Sequence, residues 1–305
     1  GRVEVTTTTG LAQWDVSTQT LNAGTYRVTG TQPIALNLGY EPSTSIPALI
    51  KVNKANVYLK NAGAAIVTTT PDPDVNALTT LATNSGTLSL TSGAQLATTV
   101  ALKNNLTGQL VVGSGSTLTV GGSGLRQSNT AATFLGGTMA LKAFAFDAGT
   151  LSAGNAAGTV GNGVLSIIGG GTGLTFGALA QLNQDVTTSG WDTLAVQNGN
   201  AILVGTLSAN FGAGADVGTY RFLTTDTGSV LGTFNSVVSN LDPGDFAVSA
   251  IYGAKFVDLK VTAISSLTSR DSLPVAVVPE PSTYAMLLAG LGVLGWQLRR
   301  RNAAA

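Results

Sequence analysis

Apolar and polar positions alternate over short stretches through most of the chain. In GTLSLTSGAQLATTVALKNNLT, which begins at Gly86, Leu88 and Leu90 alternate with polar neighbours and Leu96 follows after a Ser-Gly turn. In GQLVVGSGSTLTVGGSGLRQ, from Gly108, the same pattern sets Leu110, Val112, Leu118 and Val120. Period two over such short runs, broken by Ser-Gly, Gly-Ser or Asn, predicts half-buried strands joined by turns. The two units start 22 residues apart (108 minus 86), and Gly-Thr, nearly always followed by an apolar residue, recurs at Gly24, Gly86, Gly137, Gly149, Gly158, Gly171, Gly205, Gly218 and Gly232. A repeat in the twenties with several strands per unit predicts an all-β fold, a parallel β-helix (β-solenoid), each turn burying its apolar face against its neighbours. A β-sandwich is the competing all-β arrangement.

The pattern also divides the chain. Residues 1–180 read as the solenoid body. From Trp191 the strands lengthen and aromatics become more frequent, and Leu241-Asp242-Pro243-Gly244-Asp245-Phe246 is a strong turn, so residues 181–264 read as C-terminal rungs or a β cap. Residues 265–278 form a linker. Residues 279–305 are different again: a Pro-Glu-Pro triplet, the apolar run from Tyr284 to Leu298, and Arg299, Arg300 and Arg301.

Composition narrows the chemistry. Charged residues make up 10% of the chain, against a usual share of about 25%. With 44% hydrophobic residues and a formal net charge of zero, the sequence is neither a disordered chain nor a basic nucleic-acid binder, and no nucleic acid is expected as partner. There is no Cys and no His, which removes disulfides, thiol nucleophiles, Ser-His-Asp triads and nearly all zinc sites. GRVEVTTTTG lacks the apolar run of a secretory signal, so a signal has been removed or the sequence is a piece of a longer chain.

Candidate sites outside the tail are sparse. Asp72 and Asp74 open a calcium-loop pattern, but Ala77 and Thr83 stand where its Gly and Glu belong, so a solvated turn is the simpler reading. GLGVLG, residues 290–295, matches G-x-G-x-x-G without the preceding strand or the following acid, and suits helix packing in a membrane better. Asp226, Asp242, Asp245 and Asp258 are the acids a carbohydrate-active β-helix would need in pairs, and their neighbours read as turns or outward positions. No catalytic residue, metal site or cofactor is assigned.

The apolar run spans 15 residues, about 22 Å as a helix, short of the roughly 30 Å hydrocarbon layer. Its flanks tip it towards membrane. The arginines can snorkel, Tyr284 and Trp296 stand at the two ends, and Pro281 suits a helix start. A short C-terminal transmembrane helix is therefore expected, with Leu288, Gly290 and Leu294 inside it and Arg299–Arg301 as a cytoplasmic stop-transfer cluster.

Val278-Pro279-Glu280-Pro281-Ser282-Thr283, the apolar helix and the arginine cluster together resemble the PEP-CTERM sorting signal of exported Gram-negative proteins. The resemblance covers about the last 27 residues. It implies processing near Pro279, Glu280 and Pro281 by an exosortase, a polytopic membrane enzyme, after transient anchoring in the inner membrane. More loosely, WDTLAVQNGNAILVGTL and GTYRFLTTDTGSVLGTFNSV are similar to the β-helical stretches of autotransporter-type surface proteins, without their C-terminal barrel. The expected role is an exported cell-surface or extracellular-matrix structural protein, adhesin-like and not an enzyme, with exopolysaccharide or other surface proteins as partners. A secreted β-helix that acts on or binds carbohydrate, and a permanently anchored single-pass protein, are the alternatives.

Overall fold

The computed structural model describes residues 2–6, 13–36, 38, 48–68, 75–154, 156 and 158–264. Gly1–Ala263 form one compact unit, an all-β solenoid of about seven turns with no helix among the described residues. Parallel pairing decides between the two all-β arrangements. Thr87–Thr91 lies parallel on Asn56–Lys60 and carries Gln109–Val112, with Leu88 opposite both Val57 and Leu110. Ala132–Leu135 stacks next. Thr87 sits over Gln109, so the 22-residue spacing of the sequence (109 minus 87) is one turn of the coil.

Each central turn has three strands. Leu102–Asn104 pairs with Leu125–Gln127 on one face, Gln109–Val112 with Ala132–Leu135 on the second, and Gln95–Thr98 with Thr117–Val120 on the third. Inward residues meet along the axis. Leu88, Leu90, Leu96, Leu110, Val112, Leu118 and Val120, the alternating positions of the sequence, are all buried in one continuous core. Outward positions carry polar or small side chains, as the column Thr87, Gln109, Ala132, Thr150, Gln181, Thr206 shows.

The glycines that open the repeat units serve two different needs. Gly205 has φ +75°, a left-handed conformation that L side chains rarely adopt. Gly108 has no such need. A Cβ there would stand 2.5 Å from Asn104 Oδ1 and from the Asn84 carbonyl, so it is the close approach of neighbouring turns that demands glycine. Gly86 and Gly137 are like Gly108: neither has positive φ, and a Cβ on either would run into the backbone of the neighbouring turn.

The stack ends in antiparallel pairings. Arg2–Thr6 runs antiparallel along Thr25–Thr29. At the other end Phe256–Ala263 pairs antiparallel with Gly218–Thr225 and with Phe246–Tyr252. Among the described residues no helix is long and apolar enough to cross a membrane. The transmembrane helix expected over 284–298 lies outside the described residues.

Candidate functional site

The sorting residues Pro279, Glu280 and Pro281, the helix residues Tyr284, Leu288, Gly290, Leu294 and Trp296, the cluster Arg299, Arg300 and Arg301, and the acids Asp72 and Asp74 all lie outside the described residues. Among the described residues no group of three His, Cys, Asp or Glu side chains is placed to hold a metal ion. The four acids considered for carbohydrate chemistry fall at three separate places, Asp242 and Asp245 sharing one turn in which the Asp245 N–H donates to the Asp242 carbonyl. Asp226 accepts from the backbone N–H of Asn198 and Thr227 in an exposed turn, and Asp242 accepts from the Gly244 N–H in another. Asp258 departs from the outward or turn position expected of it. It lies in Phe256–Ala263, 7% exposed, and accepts from Arg221 Nε at 2.8 Å and Nη2 at 3.1 Å. Arg221 in turn lies over the Phe256 ring at 3.8 Å, so this pair ties the end hairpin to the last turn.

The carboxylates that the fold does bring together are Asp185 and Asp192, which flank Val186-Thr187-Thr188-Ser189-Gly190-Trp191. Val186 pairs antiparallel with Trp191 and Thr187 with Gly190, closing a tight hairpin on the end of Gly173–Thr187. The Asp192 N–H donates to the Asp185 carbonyl at 2.9 Å. Asp192 Oδ2 accepts from the Asp185 N–H at 3.1 Å, and Oδ1 from the Gly161 N–H at 2.8 Å. One side chain thus fastens the hairpin to the segment that crosses it at Gly161. Asp192 is fully buried, and burial pushes its carboxyl up to about 6, with the nearby Asp185 carboxylate adding to the rise and the two N–H donors opposing it. Asn210 Nδ2 donates to Asp185 Oδ1 at 3.1 Å from the next turn.

On its outer side the hairpin forms one wall of a groove of about 380 Å³, with Thr188, Ser189 and Trp191 facing Gly214, Asp216 and Tyr220 of the following loop and strand. Trp191 Nε1 donates to the Arg221 carbonyl at 2.9 Å, and its ring meets Tyr220 edge to face at 5.5 Å and 69°. Tyr220 packs in turn on Phe211 at 6.3 Å, and its hydroxyl donates to the Asp216 carbonyl. Both polar tips are therefore bonded to backbone, and the rings are held in place. Sequence reasoning passed over this cluster. The acids stand seven positions apart without a recognised motif, and Tyr220 comes from the next turn. The legible signal was Ser189-Gly190-Trp191, a turn that carries a large aromatic in a chain otherwise poor in them.

Residues 277–301 match the family model of the PEP-CTERM protein-sorting motif. That match covers the tail alone. A signal of this kind is recognised by exosortase, a membrane enzyme, and implies exosortase-dependent export and sorting to the cell envelope or surface of Gram-negative bacteria. No curated protein matches the chain.

Proposed function

We propose that this chain is a structural protein of the cell surface or extracellular matrix, with an adhesin-like role, displayed as a β-solenoid and delivered by its tail. The sorting-motif match over residues 277–301, on a chain whose body is a β-solenoid, is the observation that carries this reading. A stack of parallel turns resembles the bodies of autotransporter-type surface proteins and offers long regular faces, such as the one lined by Thr, Gln and Ala from Thr87 to Thr206. Such faces suit contact with matrix better than turnover of a small substrate.

In this reading Arg299–Arg301 and the apolar run 284–298 stall the exported chain in the inner membrane. Pro279 and Pro281 keep the intervening segment extended and open to the processing enzyme, since proline disfavours helix at its own position and the one before. Replacing Pro279, Glu280 and Pro281 with alanine leaves the tail on the mature protein, read by mass spectrometry of its C-terminus in the native host. Normal release of that variant would sink the reading. A tail retained in the unmutated mature protein instead marks a permanent single-pass anchor.

A catalytic role is not assigned. Asp226, Asp242 and Asp258 are each committed to a turn or an ion pair, which leaves them poorly placed as acid and base. Release of sugars from polysaccharide by the purified protein, lost on mutating Asp242 or Asp245, would reverse that assignment.

A further inference from the structure

We propose that the groove between the 187–191 hairpin and the 214–220 segment binds a neutral polysaccharide, one pyranose ring stacking on Trp191. Trp191 is the one aromatic among the described residues whose side chain is exposed, at 38%. A solenoid that buries or half-buries every other described aromatic leaves this one open. The Arg221 carbonyl holds its indole N–H and the Tyr220 ring packs against it at 69°, so the ring is pinned before any ligand arrives. That pre-organisation removes much of the ordering cost of binding. An indole ring 38% exposed can take up a pyranose through its negative face, which attracts the polarised C–H groups on the flat side of the sugar.

The rest of the groove supplies the complement that sugar hydroxyls need. Thr187, Thr188 and Ser189 bring hydroxyls on one wall, and Asp216 brings a carboxylate on the other. An aromatic platform with a few polar groups around it is the usual build of a small-ligand site, and 380 Å³ falls at the small end of the range of about 300–1,000 Å³. Charge settles the class of sugar. No Lys or Arg lines the groove and one carboxylate does, so uronates and phosphates are repelled and neutral hexoses are favoured. The two walls stand close: a Cβ on Gly214 would lie 3.0 Å from Thr188 Cγ2, so the opening admits a ring at its edge rather than a folded protein surface. This assignment deepens the surface-protein reading, which places the groove where polysaccharide is met. Binding and sorting are nevertheless measured separately, and either can fail alone.

The test is titration of the purified full chain with cellohexaose, chitohexaose and maltohexaose as neutral probes and oligogalacturonate as the acidic one, by calorimetry and by tryptophan fluorescence. At least one neutral probe is expected to saturate. Trp191→Ala should weaken it by about tenfold, and Trp191→Phe, which keeps a ring, by about threefold. Because Trp191→Ala also removes a bond to Arg221, a second variant is needed that leaves the ring cluster intact. Thr188→Arg fills the groove from its exposed rim and should abolish binding while circular dichroism and thermal midpoint stay unchanged. Silence from all three neutral probes, equal binding by Thr188→Arg, or preference for oligogalacturonate would overturn the proposal.

Discussion

Asp192 shows how one buried side chain makes stability depend on pH. Its carboxyl is raised from 3.8 to about 6, so between those values the folded chain holds a proton that the unfolded chain has lost. The native state is thus favoured at the acid end, and this contribution fades as pH rises through 6. A gap of this size corresponds to about 3 kcal/mol. The thermal midpoint should therefore fall between pH 5 and pH 7, and the carbon-13 resonance of the Asp192 carboxyl should titrate with a midpoint near 6. Asp192→Asn should flatten that slope and lower the midpoint throughout, because its amide N–H would meet a backbone N–H of Gly161 or Asp185. A slope that survives in Asp192→Asn would refute the assignment. Asp15 and Asp226 act in the opposite sense. Asp15 is held below the usual carboxylate range chiefly by the Ser17 and Thr18 hydroxyls, and Asp226 chiefly by the backbone N–H groups of Thr227 and Asn198. Their contribution is lost only as pH falls below about 4, outside the window in question.

At the scale of strands, one inward column changes chemistry part-way up the stack. Asn53, Asn84, Asn104 and Gln127 occupy the same register position on successive turns, all fully buried. Asn53 Nδ2 donates to Asn84 Oδ1 at 2.8 Å, and Asn84 Nδ2 to Asn104 Oδ1 at 2.9 Å. The same amide groups also donate to the carbonyls of Thr87, Gln109 and Ala132, each at 3.1 Å, where the chain turns the corner into its next strand. A corner breaks the ladder and leaves buried carbonyls to satisfy, and the amides satisfy them. One turn above Gln127 the column becomes Phe146 and then Phe176, with rings 5.1 Å apart. There Ala143–Ser152 and Gly173–Thr187 run through the corner as continuous strands, so the amide donors give way to rings that fill volume. Asn84→Leu strands a buried donor and two buried acceptors and should cost about 2–5 kcal/mol in urea denaturation. Asn105→Ala, on the partly exposed side of the same corner, should cost about 0.5 kcal/mol. Equal losses at the two sites would show that the ladder contributes nothing special.

Across the whole solenoid, each turn contacts only its neighbours, so stability is close to a sum along one axis and the ends need cover. The C-terminal cover is the hairpin Phe246–Tyr252 with Phe256–Ala263. Its strict alternation turns Phe246, Val248, Ala250 and Tyr252 onto the core and leaves Ala247, Ser249 and Ile251 exposed. Tyr252 completes the seal by accepting the Phe234 N–H at 3.0 Å. Val248→Asp should therefore loosen the last turn alone. Hydrogen exchange should rise several-fold at Val230–Ser239 and stay unchanged at Thr87–Leu141, where a globular core would lose protection throughout.

The period-two alternation, the 22-residue spacing and the tail motif were all readable without coordinates, because strand burial and a linear sorting signal are local in the chain. Leu88, Leu110 and Leu118 were recognisable as core for that reason, and Arg299–Arg301 as part of an address. Asn84 and Asn104 carry no mark of burial in the sequence, since nothing nearby reveals that an amide three strands away will stack on them. Asp192 looked like any surface acid until Gly161 crossed above it, and Trp191 like one more aromatic until Tyr220 arrived from the following turn. The sequence by itself determined that this protein coils and where it is sent. Only the tertiary structure decided which polar side chains are buried and which ring stays open, because both depend on residues that meet one full turn of the solenoid apart.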